Sequence, residues 1–289
     1  MPSLPEWFDA YCRSRERMLR SASIVGYVVA SCVFVAAILT GVIGTGFDAA
    51  AYWSAASGNP YLVEYTVKGT YVYSPPTAQL LSLFAWMGPH GLAAAIAAVS
   101  LASLLYVAGP WATLLLFVPD VQIELLMGNI NLLVGAAVVM GFRRPWAWTL
   151  VLLTKVTPGV ALLWFGFRRQ WRALAVAILP TILISLASLA VAPELWRAWL
   201  HLLLNAGASG APPMSIPIPL LPRLIAAAAL VVWGARTGRP QTVVVSVWLA
   251  LPALWGQTTA LLAASIPLVA GPPEWLTRRA TAPRLAPLE

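Results

Sequence analysis

Long apolar runs recur from Ile24 to Ala270, separated by short polar and basic interruptions. The first run, Ser21–Phe47, carries no charge and follows Arg13, Arg15, Arg17 and Arg20. It holds about 20 apolar residues, the length a helix needs to cross the hydrocarbon core of a bilayer. A signal peptide has a shorter apolar core and a cleavage site of small residues, so the pattern predicts a retained first helix. Basic residues concentrate in the cytoplasmic loops of membrane proteins. That rule places the N-terminal segment 1–23 in the cytoplasm and Asp48 just beyond the outer end of the first span.

The remaining basic clusters are Arg143-Arg144, Arg168-Arg169-Arg172, Arg236-Arg239 and Arg278-Arg279. If all face the cytoplasm, each interval between them crosses the membrane an even number of times. Only 23 residues separate Arg144 from Arg168, too few for two full spans at about 1.5 Å per residue. Within that interval stands Lys155-Val156-Thr157-Pro158. Proline removes a backbone donor and disfavours helical geometry in the residue before it. The pattern therefore predicts two half-helices, Trp146–Thr154 and Gly159–Phe167, meeting inside the membrane. The interval Pro240–Thr277 repeats it, with Trp255-Gly256-Gln257-Thr258 at the apex.

The other segments follow from the same alternation. Pro76–Gly88 is expected to return inward after an outer loop over 45–75, which puts His90 on the cytoplasmic side. His90–Val118 then leaves as one helix kinked at Gly109-Pro110, Pro119–Asn129 forms an outer shelf, and Ile130–Phe142 comes back. Ala173–Ala192 goes out, a proline-rich outer segment covers 193–222, and Arg223–Ala235 returns. The expectation is an all-α polytopic membrane protein of about ten membrane segments, several short or broken. It forms one transmembrane domain over 24–271, followed by a cytoplasmic tail over 272–289.

Composition agrees: 60% of the chain is apolar and 10% charged, with mean hydropathy +0.79. A soluble domain has about a quarter of its residues charged. A soluble enzyme, a disulfide scaffold and a disordered chain are thereby excluded. The net charge of +8 comes from clusters that set topology, so no nucleic-acid partner is implied. Cys12 and Cys32 form no framework and no metal-ligand spacing is present.

With only ten acidic residues, each position matters. Asp48, Glu64, Asp120, Glu124 and Glu194 fall on the expected outer side; Glu6, Asp9, Glu16, Glu274 and Glu289 lie near the cytoplasmic termini. None is expected in mid-membrane, which argues against a proton-coupled carboxylate relay. Asp48 and Tyr52 are four apart, hence on one face of any helix there. Asp48 is either the N-cap of an interfacial helix or a general base at the mouth of a membrane cavity. Lys155, at a helix break within the membrane plane, requires a partner, with Asp120 or Glu124 available.

Asp48, then Tyr52, Gly58-Asn59-Pro60-Tyr61 and Tyr73-Ser74-Pro75-Pro76 resemble the opening of glycosyltransferase family 87. Pro119-Asp120-Val121 followed by Gly128-Asn129-Ile130-Asn131 is similar to that family's Pro-Val and Gly-Gln-x-Asn element. Lys155-Val156-Thr157-Pro158 resembles its Lys-x-Thr-Pro element. The resemblance runs from about Asp48 to Arg172 and implies a C-type glycosyltransferase (GT-C) fold. It further implies transfer of a sugar, often mannose, from a polyprenyl-phosphate donor on the outer face of the cytoplasmic membrane. The acceptor would be a cell-envelope glycolipid or polysaccharide, and the course an inverting single displacement.

By that resemblance Asp48 takes the place of the base, and Lys155 contacts the donor phosphate, with Arg223 as a second candidate. Tyr52, Tyr61, Asn129, Asn131, Gln257 and His201 are the candidates for sugar or acceptor contact. His201 also lies on an amphipathic stretch that suits a membrane-surface helix. No Asp-x-Asp motif occurs, so a metal-independent reaction without cofactors is expected. The chain departs from the family where Asn129 replaces its Gln and where the last hairpin reads Trp255-Gly256-Gln257-Thr258. Rival expectations are a non-catalytic polyprenyl-lipid carrier or flippase and an arabinofuranosyltransferase.

Overall fold

The computed structural model describes residues 6–57, 60–61, 71–208 and 215–269. Glu64, positions 58–59, the middle of the 193–222 segment and the tail over 272–289 lie outside them. All regular structure among the described residues is helical: α1 (Glu6–Leu39), α2 (Phe47–Ser57), α3 (Pro75–Ser82), α4 (Gly88–Ala108), α5 (Ala112–Leu115), α6 (Pro119–Met127) and α7 (Asn131–Gly141). The series continues with α8 (Trp148–Thr154), α9 (Leu163–Phe167), α10 (Trp171–Val191), α11 (Pro193–Ala208), α12 (Leu220–Thr237), α13 (Gln241–Leu249) and α14 (Ile266–Val269). Short 3-10 turns join them, the longest being Thr157–Leu162 and Gly256–Ser265.

Among the described residues, four helical stretches are long and apolar enough to cross a membrane: Arg15–Leu39, Ala85–Leu115, Trp171–Val191 and Leu220–Thr237. A fifth is possible if α6 and α7, bent by 105°, count as one broken span. The remaining apolar segments are shorter, so the ten expected segments include half-helices rather than ten crossings. α1 and α10 turn large apolar side chains outward, among them Val25, Val29, Val33, Leu179, Leu183 and Leu186. Water would not tolerate that surface, whereas lipid does. The core lies between the helices and includes Leu104, Val134, Trp148, Phe165, Val231, Val247 and Leu261.

α1 and α4 pack side by side and run antiparallel. Midway along α1, Ser23 Oγ donates to Pro110 O at 2.8 Å, and Thr113 Oγ1 donates to Ser23 O at 2.7 Å. At its far end, Gly41 lies beside the His90 ring. His90 is therefore at the same end of the bundle as Gly41, not at the end of the N-terminal arginines. The expected return crossing over Pro76–Gly88 is thus corrected. α3 has 8 residues, about 12 Å of helix, and a turn follows it before α4 begins. Apolarity alone marked Pro76–Gly88 as a span, and its length excludes one.

Two hairpins are broken at the expected places. α8 ends at Lys155 in extended backbone, and the chain resumes as the 3-10 turn Thr157–Leu162 and then α9. α13 is followed by an irregular stretch and the 3-10 run Gly256–Ser265. Both start from a common arginine-rich end, where Arg168 Nη1 donates to Ala235 O at 3.2 Å and Arg236 stacks on Phe167.

Arg223 holds the second break. Its guanidinium donates to the carbonyls of Ile218, Leu249, Leu251 and Pro252 at 2.6–3.0 Å, and the residue is 5% exposed. With four of an arginine's five N–H groups committed to backbone, it is a clamp on the α13 terminus rather than a phosphate ligand. Replacing Arg223 by methionine leaves these carbonyls unpaired and is expected to cost about 3 kcal/mol or more. Lysine, a point charge without the planar fork, is expected to restore only part of that. Thermal unfolding of both variants in detergent checks this.

Candidate active site

The α6–α7 break is built by Gly128. It takes a left-handed conformation (φ +68°), its N–H meets Leu125 O, and the Asn129 N–H meets Glu124 O. This is the paired-bond ending that glycine permits at a helix C-terminus. The chain then turns, and the side chains of Asn129 and Asn131 leave the break in two directions. Asn129 Nδ2 donates to Asp48 Oδ2 at 3.0 Å, while its Oδ1 accepts the Ile130 N–H at 2.7 Å. Asn131, which opens α7, donates its backbone N–H to Glu124 Oε1 at 2.7 Å and its Nδ2 to Glu124 Oε2 at 3.1 Å. Lys155 Nζ donates to Asn131 Oδ1.

The α8 break delivers that lysine. The carbonyl of Leu153, freed where α8 stops, accepts hydrogen bonds from Ser74 Oγ and Thr77 Oγ1 of the α3 start, at 2.5 and 3.0 Å. Four residues further on, Thr157 Oγ1 donates to Ala250 O at 2.5 Å. The third apex is tied in by Thr259 Oγ1, which donates to Asp120 Oδ2 at 2.5 Å. Breaks far apart in sequence thus meet through side chains that satisfy exposed backbone and carboxylate groups.

Asp48 is placed by a close approach of two segments. A methyl on Gly46 would lie 2.2 Å from Leu126 O, so only glycine lets the α1–α2 elbow sit on the end of α6. α2 then begins at Phe47, with Asp48 in its first turn, a favourable position for an anion. Asp48 and Lys155 each keep part of their surface open, whereas Glu124 and Asn131 are both 0% exposed. Burial pushes the Asp48 carboxyl above its ordinary value of 3.8, against the opposing pull of the Lys155 charge and of the Asn129 hydrogen bond.

Tyr52, Tyr61, Tyr71 and Tyr73 form a packed aromatic cluster beside these groups, with neighbouring ring centroids 5.4–6.5 Å apart. Tyr52 and Tyr73 share a hydroxyl hydrogen bond of 2.9 Å, and Tyr61 Oη donates to Tyr73 O at 2.7 Å. The Tyr73 ring lies 5.9 Å from Lys155 Nζ. Tyr52 and Tyr61, read from sequence as faces for a sugar, are instead buried in this cluster.

The structure brings together Asp48, Asn129, Asn131 and Lys155 from the sequence-derived candidates. Gln257 sits in the first turn of the Gly256–Ser265 run, half-buried, and joins none of these hydrogen bonds. His201 is exposed on α11 and pairs with Asn205 of the next turn. The opposite face of α11 packs Leu195, Trp199 and Leu202 on the tyrosine cluster, which leaves His201 outward. Glu124 and Tyr73 were not among the site candidates. A sequence signal for Glu124 existed: an acidic residue inside an apolar stretch, seven before Asn131.

A bundle of apolar helices, broken around a partly buried lysine and two carboxylates, defines an all-α polytopic membrane protein with a polar site at its breaks. The chain belongs to glycosyltransferase family 87, whose model matches residues 71–280, well over half of it. It is thus a membrane glycosyltransferase of GT-C type, with a donor and an acceptor to bring together. The match includes the Asn131 and Lys155 elements, while Asp48 stands upstream of it. No curated protein and no solved structure matches the chain.

Two outcomes test the site's construction. Gly46→Ala must push α2 off α6, so the Asp48–Asn129 bond is lost; sugar transfer is expected to fall about tenfold or more, measured against wild type at equal folded concentration. The raised Asp48 carboxyl means that the folded protein holds the proton more tightly than the unfolded one. Stability therefore declines as pH rises from 3.8 through the raised value. Asp48→Asn removes that loss. The variant is expected to melt above wild type at about pH 7.5, with the difference closing as pH falls toward 3.8, in thermal unfolding followed across pH.

Proposed function

We propose that this glycosyltransferase moves a sugar, mannose being the leading candidate, from a polyprenyl-phosphate donor to a cell-envelope glycolipid or polysaccharide. The observation that carries the reading is the joint holding of Asp48 and Lys155, through Asn129 and Asn131, with both still partly open. A base and a cation held near each other at one site suit a displacement at the anomeric carbon of a sugar phosphate. The acceptor hydroxyl passes its proton to Asp48 as its oxygen bonds to the anomeric carbon. The bond from that carbon to the lipid-phosphate oxygen breaks with inversion, and the negative charge left on the phosphate faces Lys155.

An ammonium can supply the positive charge a single phosphate needs as it leaves, so we read the reaction as metal-independent and cofactor-free. Asn129 and Asn131 act by orienting the base and the lysine, since their amide groups are already bonded to protein. The arginine-rich ends are cytoplasmic by the positive-inside rule. The Asp48 end then opens on the outer face of the cytoplasmic membrane.

The test is sugar transfer from radiolabelled polyprenyl-phosphate-mannose to a membrane lipid extract, with purified wild type and Asp48→Asn. Wild type is expected to transfer, and the variant to lose about a hundredfold or more with donor binding intact. Equal transfer by both removes Asp48 from catalysis. Binding by both without transfer favours the lipid-carrier reading, and transfer only from an arabinofuranosyl donor changes the sugar. In wild type the acid limb of the rate profile is expected above 3.8, because Asp48 must ionise to accept a proton.

A further inference from the structure

The Glu124–Asn131–Lys155 chain has a property that its lengths alone do not convey. A carboxylate only accepts hydrogen bonds and an ammonium only donates them. An asparagine between them can therefore lie one way round: Nδ2 toward Glu124, Oδ1 toward Lys155. Both contacts are present in that sense. Glu124 has the further partner Asn131 N–H, so its carboxylate is held by the first turn of α7 while it sets the asparagine. Fully buried, it has no route to a substrate, whereas Lys155 is partly exposed.

We propose that Glu124 is the positioning residue for Lys155. Through the orientation of Asn131 it fixes the direction of the ammonium beside Asp48. This rests on the glycosyl-transfer reading above for what Lys155 does, but not for how it is held. A glutamine at position 124 has the same shape, yet it can donate as well as accept. Asn131 is then free to reverse and turn its Nδ2 toward Lys155, donor against donor. A simultaneous aspartate at position 131 repairs the chain with the same net charge. The glutamine then donates to one carboxylate oxygen and the other accepts from Lys155.

The experiment compares Glu124→Gln, Asn131→Asp, the double exchange, and Glu124→Gln in a Lys155→Met background. The full-length protein is used in detergent, with the mannosyl donor and lipid extract. Glu124→Gln is expected to lower kcat about ten- to a hundredfold, with the donor KM within about threefold of wild type. The double exchange is expected to regain most of that loss, and Glu124→Gln to add nothing once Lys155 is gone. A second readout needs no turnover. Lys68 and Lys155 are the only lysines of the chain, so 15N-lysine labelling in a Lys68→Arg background reports Lys155 alone. Its ammonium resonance is expected to move in Glu124→Gln and to return toward the wild-type position in the double exchange.

An unchanged resonance with unchanged kcat per folded molecule overturns the proposal, even if the melting temperature falls, because a cap on α7 would do that much. Loss of equal size in the Lys155→Met background also overturns it. If Glu124→Gln does not fold, the double exchange must still be more active than Asn131→Asp alone. If wild type neither transfers sugar nor binds farnesyl phosphate, the transfer reading falls. A moving resonance then still supports the Glu124–Lys155 link, and a fixed one removes it as well.

Discussion

A helix broken inside an apolar layer leaves carbonyls and N–H groups that neither lipid nor water can satisfy, and the architecture is governed by the need to satisfy them. Each break in this chain meets that need with a side chain from another segment. Arg223 takes the carbonyls at the end of α13, Ser74 and Thr77 take Leu153 O, Thr157 takes Ala250 O, and Glu124 takes the first N–H of α7. Because most of these partners come from elsewhere in the chain, the breaks are drawn together. A site results from the same bonds that make the breaks tolerable.

That origin explains the chemistry of the cluster. Lysine and carboxylates are costly at such depth unless paired, and here an asparagine joins them without letting them neutralise each other by direct contact. Asn131 separates Glu124 from Lys155, and Asn129 ties Asp48 to the α6–α7 break. The carboxyl and amine groups are thereby held in fixed directions, which is the condition for electrostatic help in a displacement reaction. The tyrosine cluster beside them supplies a rigid wall. α11 closes it from outside through Leu202 and Trp199, whose Nε1 donates to Val72 O at 3.1 Å.

The α1–α4 pair shows how packing overrules a reading of polarity. Pro76–Gly88 is apolar, but α3 is too short to cross, so α4 begins at the end where α1 finishes. That brings the loop after α1, the α3 start and the α6–α7 break to one end of the bundle. Asp48, Tyr73 and Asn129 become neighbours across gaps of 25 and 56 residues in sequence. Two contacts there demand glycine for steric reasons: a methyl on Gly46 would lie 2.2 Å from Leu126 O, and one on Gly128 would lie 2.6 Å from Ala49 Cβ.

The membrane class, the half-helices around Lys155 and Trp255-Gly256, and the Asp48, Asn129, Asn131 and Lys155 elements were all legible in the residues. Each depends on a local rule: apolar length, a proline after a lysine, or short polar motifs in a fixed order. Arg223, Gln257, His201 and the tyrosines were not assignable in the same way. Whether an arginine meets a phosphate or four carbonyls, and whether a tyrosine presents its face or buries it, depends on which segments lie opposite. The sequence by itself determined where the helices must break and which charged residues stand near the breaks, because covalent geometry and hydrophobicity act along the chain. Only the tertiary structure decided which break faces which, and that Glu124 orients Asn131 toward Lys155, because unsatisfied backbone and buried charge find their partners through space.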